Sequence, residues 1–376
     1  MAAAVPKTSP WKRVLLSTFL LMGIVAVSPA QDPTLSPIPL HLPDDTLRYR
    51  LGDNEGFALL TTLGDSDRTE ISDSSDLVLF SALDTVVVSY SAQPIHVLMM
   101  SPRDTVLETV TRSENKLTLL RRFPGFELGP AAAADSLPVW NYQSPDDPDL
   151  VQLRETFRLD SVAGSGSEVE RMVNLMRWAH TVVRHDGNSA NPHPSNALHL
   201  IEVCRTEDRG VNCRMMATIL NEAYLAVGFK SRHITCMPYS QDDPDCHVVT
   251  AVWSDSLGRW LAFDPTFEAY FMDESGGIIG LREARERLIR GETVKVNPEM
   301  NWNGKNRSEG EHLRYMTKNL FRFLCPVAGE FGYESKEGCD WVYLDPIGFD
   351  CREHQDSTRI PINHRTQNAD YFWARP

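Results

Sequence analysis

The sequence contains no apolar run long enough to cross a membrane as a helix. Its extended apolar stretch, Val14–Val27, is fourteen residues, against the roughly 20 that a spanning helix needs. Positive charge is also in short supply: 37 Lys and Arg face 51 Asp and Glu, a formal net charge of −14. Nucleic acid and anionic membrane surfaces are recognised by positive potential, so neither is an expected partner. The acid excess reads as a solubility feature. No Cys-x-x-Cys pair occurs among the seven cysteines. A zinc site built from Cys204, Cys213, Cys236, Cys246 and His247 therefore lacks the closely spaced ligands typical of such sites. There is no internal repeat, and no cysteine closely follows the apolar stretch to take a lipid.

What that stretch does resemble is an export signal. Lys7, Lys12 and Arg13 precede it, and Ser28-Pro29-Ala30 supplies small residues at a cleavage position. Residues 1–30 are expected to be a signal peptide, with a secreted or periplasmic mature protein and no membrane span after cleavage. Removing those three cations takes the net charge from −14 to −17. Seven cysteines in an oxidising compartment leave one thiol unpaired. Cys213 is the expected free thiol, a Cys236–Cys246 disulfide would brace a hairpin loop, and Cys339–Cys351 is a second plausible bridge.

Short β-type runs fill the first third of the mature chain: Leu77–Phe80, Thr85–Tyr90, Ile95–Met100, Thr105–Val110 and Leu117–Leu120. Polar clusters at Gly64–Asp67 and Ser113–Asn115 separate them. Residues 31–123 are thus expected to form a small antiparallel β-rich domain, followed by a linker over 124–149 and a main domain over 150–345. Residues 346–376 form a C-terminal extension. In the main domain Ser167 and Glu170 make a capping box ahead of apolar residues at helical spacing. Trp178 on that helix reads as core. His185 and His193, in the polar loop after it, read as surface decoration. Further helices are expected at Leu281–Arg290, stopped by Gly291, and at His312–Leu324, with a polar loop at Asn297–Glu309 before the second. A strand is expected near Trp341–Leu344.

The chemistry concentrates in three residues. Asn212 is a good N-cap, and Met216, Ile219, Leu220, Ala223 and Val227 form an apolar helical face ending at Gly228. Cys213 is then the first residue of a helix, where unpaired backbone N–H groups favour a thiolate and can donate to an oxyanion. His247 opens a run of β-formers, His-Val-Val-Thr-Ala-Val-Trp. After the turn Ser254–Gly258, Trp260-Leu-Ala-Phe-Asp264 returns as a second strand. A hairpin folded about 256 and 257 puts Asp264 opposite Val248 or Val249, within reach of His247. That arrangement suits a thiol nucleophile, its base and an orienting carboxylate: a Cys213–His247–Asp264 catalytic triad. It calls for no cofactor and no metal.

With Gly-x-Asn-Cys-Arg at the helix start, Gly228-Phe-Lys-Ser-Arg232 after it and Trp-x-x-x-Asp-Pro-Thr on the later strand, the sequence resembles the transglutaminase-like superfamily. The resemblance runs from about Ser167 to Phe267. It implies an α+β fold with a papain-like core, a Cys-bearing helix packed on an antiparallel sheet. It also implies Cys213 as nucleophile, His247 as base and Asp264 as orienter. The superfamily includes cross-linking transferases, peptidases, amidases and inactive members. The expected function is thioester-forming acyl transfer ending in hydrolysis of a peptide or amide bond, on a peptide or protein substrate, one associated with the cell envelope among the options. Protein cross-linking and non-enzymatic binding are the alternatives.

Overall fold

The computed structural model describes residues 24–26, 37–44, 46–51, 54–59, 69–71, 77–88, 95–102, 105–112, 116–128, 137–239, 245–349 and 364–376. The chain divides into two compact units, Met1–Asn115 and Lys116–Pro376. The division falls ahead of the composition break at residue 123. Phe123 and Pro124 are bound into the second unit, because the buried Arg285 guanidinium donates to both of their carbonyls. Of the expected export signal only Ile24–Ala26 is described, as a strand beside Thr85–Val87. Cys351 and the polar clusters at 64–67 and 113–115 lie outside the described residues.

The first unit is β-rich. One sheet orders Ile24–Ala26, Thr85–Val88, Leu77–Phe80, Thr46–Leu51 and Asn54–Leu59; the other orders Ile38–His41, Ile95–Met100, Thr105–Arg112 and Thr69–Ile71. Adjacent hairpins pair antiparallel, but three ladders are parallel, so the sheets are mixed rather than purely antiparallel. The apolar run Leu117–Leu120 is not a strand. It lies in helix α1, Lys116–Arg122, with Leu119 and Leu120 buried. A four-residue run of three leucines and a threonine fits either period, and packing decided for the helix.

The second unit is an α+β assembly on one eight-stranded sheet. In chain order its strands are β1 Ser231–Met237, β2 His247–Ser254, β3 Arg259–Asp264, β4 Ala269–Met272, β5 Lys295–Val296, β6 Arg322–Pro326, β7 Trp341–Leu344 and β8 His364–Thr366. They lie in the order β5-β4-β3-β2-β1-β6-β7-β8, antiparallel throughout except for β7 and β8. The remaining helices are α2 Pro148–Phe157, α3 Leu159–Ala163, α4 Glu168–Val182, α5 Ala197–Thr206, α6 Cys213–Ala226, α7 Leu281–Arg290, α8 Glu309–Asn319 and α9 Ala369–Phe372.

Both faces of the sheet are covered, and strand alternation sorts residues between them. On β3, Leu261 and Phe263 join the core shared with α2, α4, α5 and α6. Trp260 and Ala262 join the opposite core with residues of α7, α8 and α9. That explains the near-continuous apolar texture of β2 and β3, since a strand covered on both faces has no solvent side. Helix α6 is buried from Met215 to Ala226, as expected of a helix enclosed on all sides. Its start and stop are encoded locally. Asn212 accepts a hydrogen bond from Met215 N at 3.2 Å, and Gly228 closes the end at φ +92°, a conformation that favours glycine.

Two further expectations need correction. The helix expected at His312–Leu324 ends at Asn319, and Arg322–Pro326 becomes strand β6 between β1 and β7. Leu320, Phe321 and Leu324 suit a helical stripe, yet the buried edges of two strands claim this segment's backbone groups. The polar loop Asn297–Glu309 contains a hairpin, Asn301–Trp302 pairing with Lys305–Asn306. Its turn residues Asn303 and Gly304 both have positive φ, the signature of an Asn-Gly two-residue turn.

Candidate active site

Cys213 is the first residue of α6 and His247 the first residue of β2, so thiol and imidazole meet where the helix and strand begin. The β2–β3 ladder pairs Thr250 with Phe263, a register that carried one residue further would set Val249 opposite Asp264. His247 lies two residues from Val249 on the same face, which makes His247 and Asp264 diagonal neighbours. His247 Nε2 and Asp264 Oδ2 are 2.7 Å apart, and both side chains are buried. The other carboxylate oxygen of Asp264 accepts from Thr266 N at 2.9 Å, which fixes the side chain through its own turn. Phe267 and Tyr315 pack on the His247 ring, at centroid distances of 5.5 and 5.4 Å. The hairpin carrying His247 and Asp264 is tied to α4 by Glu168, whose carboxylate accepts from Asp255 N and Ser256 N at 3.0 Å each.

The charges at the site follow from these contacts. Burial alone would push the Cys213 thiol up. Hydrogen bonds from His185 and His247, the His247 charge and the Val248 N–H outweigh it and bring the thiol down to about 6. Burial opposes the charged form of His247, but the Asp264 carboxylate and the Cys213 sulfur together hold its imidazole well above the usual histidine range. Asp264 is lowered against the effect of burial, chiefly by His247. The resting pair is therefore thiolate and imidazolium. Burial lowers nearby His312 to about 4, so this neutral ring does not compete with His247 for the carboxylate. Burial raises the thiols of Cys204, Cys236, Cys246 and Cys325. Cys213 is partly exposed and activated; these four are buried or inert.

The expected Cys236–Cys246 disulfide is absent, and all six described cysteines, Cys339 included, are free. Cys236 sits directly opposite His247 in the β1–β2 ladder and joins the core on that face. Cys246, one residue earlier, packs with Met237, Leu324, Trp341 and Tyr343 on the other face. Adjacent strand positions point in opposite directions, so the sheet separates the two sulfurs.

His185 also departs from expectation. It belongs to the site rather than to the surface: it hydrogen-bonds the Cys213 sulfur, and Trp302 Nε1 donates to its Nδ1 at 2.9 Å. His193 is exposed, as expected. Trp178 is packed against Phe157 in the core. Asn303 accepts from His185 N and donates to His185 O, both at 2.9 Å. His180, buried on α4, bridges Pro265 O and Asn301 Oδ1 at 2.9 Å each, which links the turn after Asp264 to the same hairpin. The one local signal for this arrangement was the Asn303-Gly304 dipeptide.

Residues 156–265 match the family model of the transglutaminase-like superfamily, a span that contains Cys213, His247 and Asp264. No curated protein matches the chain. Among solved structures, a presumed cysteine protease from Cytophaga hutchinsonii aligns at 15% identity with a TM-score of 0.25, covering 50% of this chain and 63% of that one. The chain thus spans less than two thirds of that protein. Red sea bream transglutaminase aligns at 9% identity with a TM-score of 0.24, covering 77% of this chain and 68% of its own. Likenesses this distant add nothing to the family match.

Proposed function

We propose that this chain, whose residues 156–265 form a transglutaminase-like core, is a cysteine enzyme that hydrolyses peptide or amide bonds outside the cytoplasm. The observation that carries the reading is the partly exposed Cys213 thiol at a helix start, hydrogen-bonded by an imidazole whose far nitrogen is held by a buried carboxylate. The extracytoplasmic placement rests on the charged and apolar N-terminal segment alone.

In this reading the Cys213 thiolate attacks the carbonyl carbon. A C–S bond forms and the carbonyl π electrons move onto oxygen. Collapse of this intermediate breaks the C–N bond, and the imidazolium of His247 gives its proton to the leaving amine. The product is a thioester and a neutral His247. His247 then takes a proton from water as the water attacks the thioester carbonyl; the acid leaves and the thiolate–imidazolium pair is restored. Asp264 keeps the proton-shuttling nitrogen turned toward sulfur and stabilises the imidazolium. If an amine replaced water, the same thioester would give a cross-link.

The test is alkylation by iodoacetamide with peptide mapping, alongside hydrolysis of labelled casein with and without a primary amine such as cadaverine. Expected is preferential modification of Cys213 at neutral pH, lost in His247→Ala, with new carboxyl termini in the casein. Failure of Cys213 to react ahead of the other thiols would overturn the enzyme reading. Incorporation of cadaverine without peptide cleavage would replace hydrolysis with transfer.

A further inference from the structure

His185 is held at the site by contacts that a surface histidine would not need. Its backbone bridges to Val211, two residues before Cys213, with Asp186 N donating to Val211 O at 2.8 Å and Val211 N to Arg184 O at 3.1 Å. This short parallel contact is tight. A Cβ on Gly210 would fall 2.7 Å from Asp186 Cβ and 2.8 Å from Arg184 O, so only glycine fits there. Asn303 clamps the His185 peptide groups from the other side. The ring is thus fixed next to the start of α6.

The contact with Trp302 sets which way the ring's proton points. An indole N–H only donates, so at 2.9 Å His185 Nδ1 must be the acceptor. The ring proton then sits on Nε2, the nitrogen left to meet the Cys213 sulfur. In that tautomer His185 has a donor toward sulfur and no lone pair there with which to take a proton. The two histidines at Cys213 therefore have different capacities: His247 exchanges a proton, and His185 offers a fixed one.

We propose that His185 is a catalytic residue of this site, donating its Nε2–H to the Cys213 thiolate at rest and to the carbonyl oxygen as it becomes an oxyanion, with Trp302 fixing the tautomer that makes it a donor. The assignment rests on the cysteine chemistry proposed above. When the C–S bond forms, charge leaves sulfur and appears on an oxygen one bond from the attacked carbon, so a donor beside sulfur can follow it. The Cys213 backbone N–H at the helix start is the natural second donor. Removing one oxyanion donor typically costs about 10²–10³-fold in kcat.

Three variants test this. His185→Gln places an amide oxygen where Nδ1 accepts from Trp302 and an amide N–H where Nε2 donates, but it cannot act as a base. His185→Ala removes the donor. Trp302→Phe frees the ring to adopt the other tautomer. Two readouts separate this proposal from the one it rests on. The pH midpoint of Cys213 alkylation needs no carbonyl substrate, while kcat and KM on a peptide substrate report the oxyanion. A wild-type protein with no reactive Cys213 thiolate at neutral pH would defeat the parent reading. With wild-type reactivity established, His185→Ala should raise the alkylation midpoint and lower kcat by about 10²–10³-fold with KM little changed. His185→Gln should recover most of both, and Trp302→Phe should fall between. An unchanged kcat in His185→Ala, or a folded His185→Gln as impaired as the alanine variant, would overturn the donor role. If His185→Ala does not fold, the glutamine and Trp302→Phe variants decide the question.

Discussion

His247 Nε2 meets Asp264 Oδ2 at 2.7 Å with both side chains buried, and that contact leaves Nδ1 as the nitrogen facing sulfur. The carboxylate does two things at once: it orients the ring and supports its positive charge. Asp264→Asn separates them, because the amide oxygen still accepts from Nε2–H while the charge is gone. The expected outcome is a folded protein in which His247 is less readily protonated and the thiolate loses its ion partner. The midpoint of Cys213 alkylation should move to higher pH, by roughly 1 to 3 pH units. An iodoacetamide rate profile between pH 4 and 10 checks it. An unchanged midpoint would mean that Asp264 acts by orientation only.

The Cys213 thiol, brought down to about 6 mainly by hydrogen bonds from His185 and His247 acting against burial, predicts an alkylation rate that rises through that pH and is already near its plateau at pH 7. The buried thiols, pushed up by desolvation, should react only on unfolding. Rapid modification of Cys213 at pH 7, with Cys236 and Cys325 reacting only in guanidinium, is the expected pattern. Equal rates for Cys213 and Cys246 would contradict the activation of Cys213, because burial raises the Cys246 thiol instead of lowering it.

The parts of this site readable in the sequence are those specified within a few residues. Asn212 and Gly228 bracket α6, Ser167 and Glu170 cap α4, and the turn after Ser254 sets the register that brings Asp264 near His247. His185 was not readable, because its partner Trp302 lies 117 residues away. A lone loop histidine has no local pattern to mark it. The same holds for β6, whose identity depends on β1 and β7 far along the chain, and for Cys236, whose facing is fixed by its pairing with His247.

Glu222 lies inside α6, its carboxyl oxygens accepting from Ala197 N at 2.7 Å and Gly332 N at 2.8 Å. Burial pushes its carboxyl up to about 8, above the unfolded value of roughly 4.3. Between those values the folded protein keeps a proton that the unfolded chain has released. This contribution to stability is fully present below the unfolded value and is lost as pH rises through about 8. The urea midpoint should therefore fall between pH 5 and pH 8.5. Glu222→Gln should flatten that slope while lowering stability at pH 5 by about 1–3 kcal/mol, since its NH₂ faces a backbone donor. Denaturation curves at both pH values decide it, and an equal slope in the variant would exclude Glu222 as the source.

Glu334 has the opposite sign. Its Oε1 lies 3.2 Å from Arg214 Nη1 and 2.7 Å from His233 Nε2. Burial pushes the carboxyl up, but the charges and hydrogen bonds of Arg214 and His233 prevail and draw it down to about 2. Because the folded value lies below the unfolded one, this contribution is present above roughly 4.3 and is lost as pH falls through about 2. Arg214 follows Cys213 on α6, so the pair also anchors the first turn of the helix that presents the nucleophile. Glu334→Gln leaves a largely buried guanidinium without its counter-charge, at a cost of about 3–5 kcal/mol at pH 7. The deficit should shrink as pH is lowered from 5 toward 3, because protonation of this residue in the unfolded chain progressively removes the same contribution from the wild-type protein. Urea titrations across that range measure both arms, and a deficit independent of pH would assign the loss to packing instead of charge.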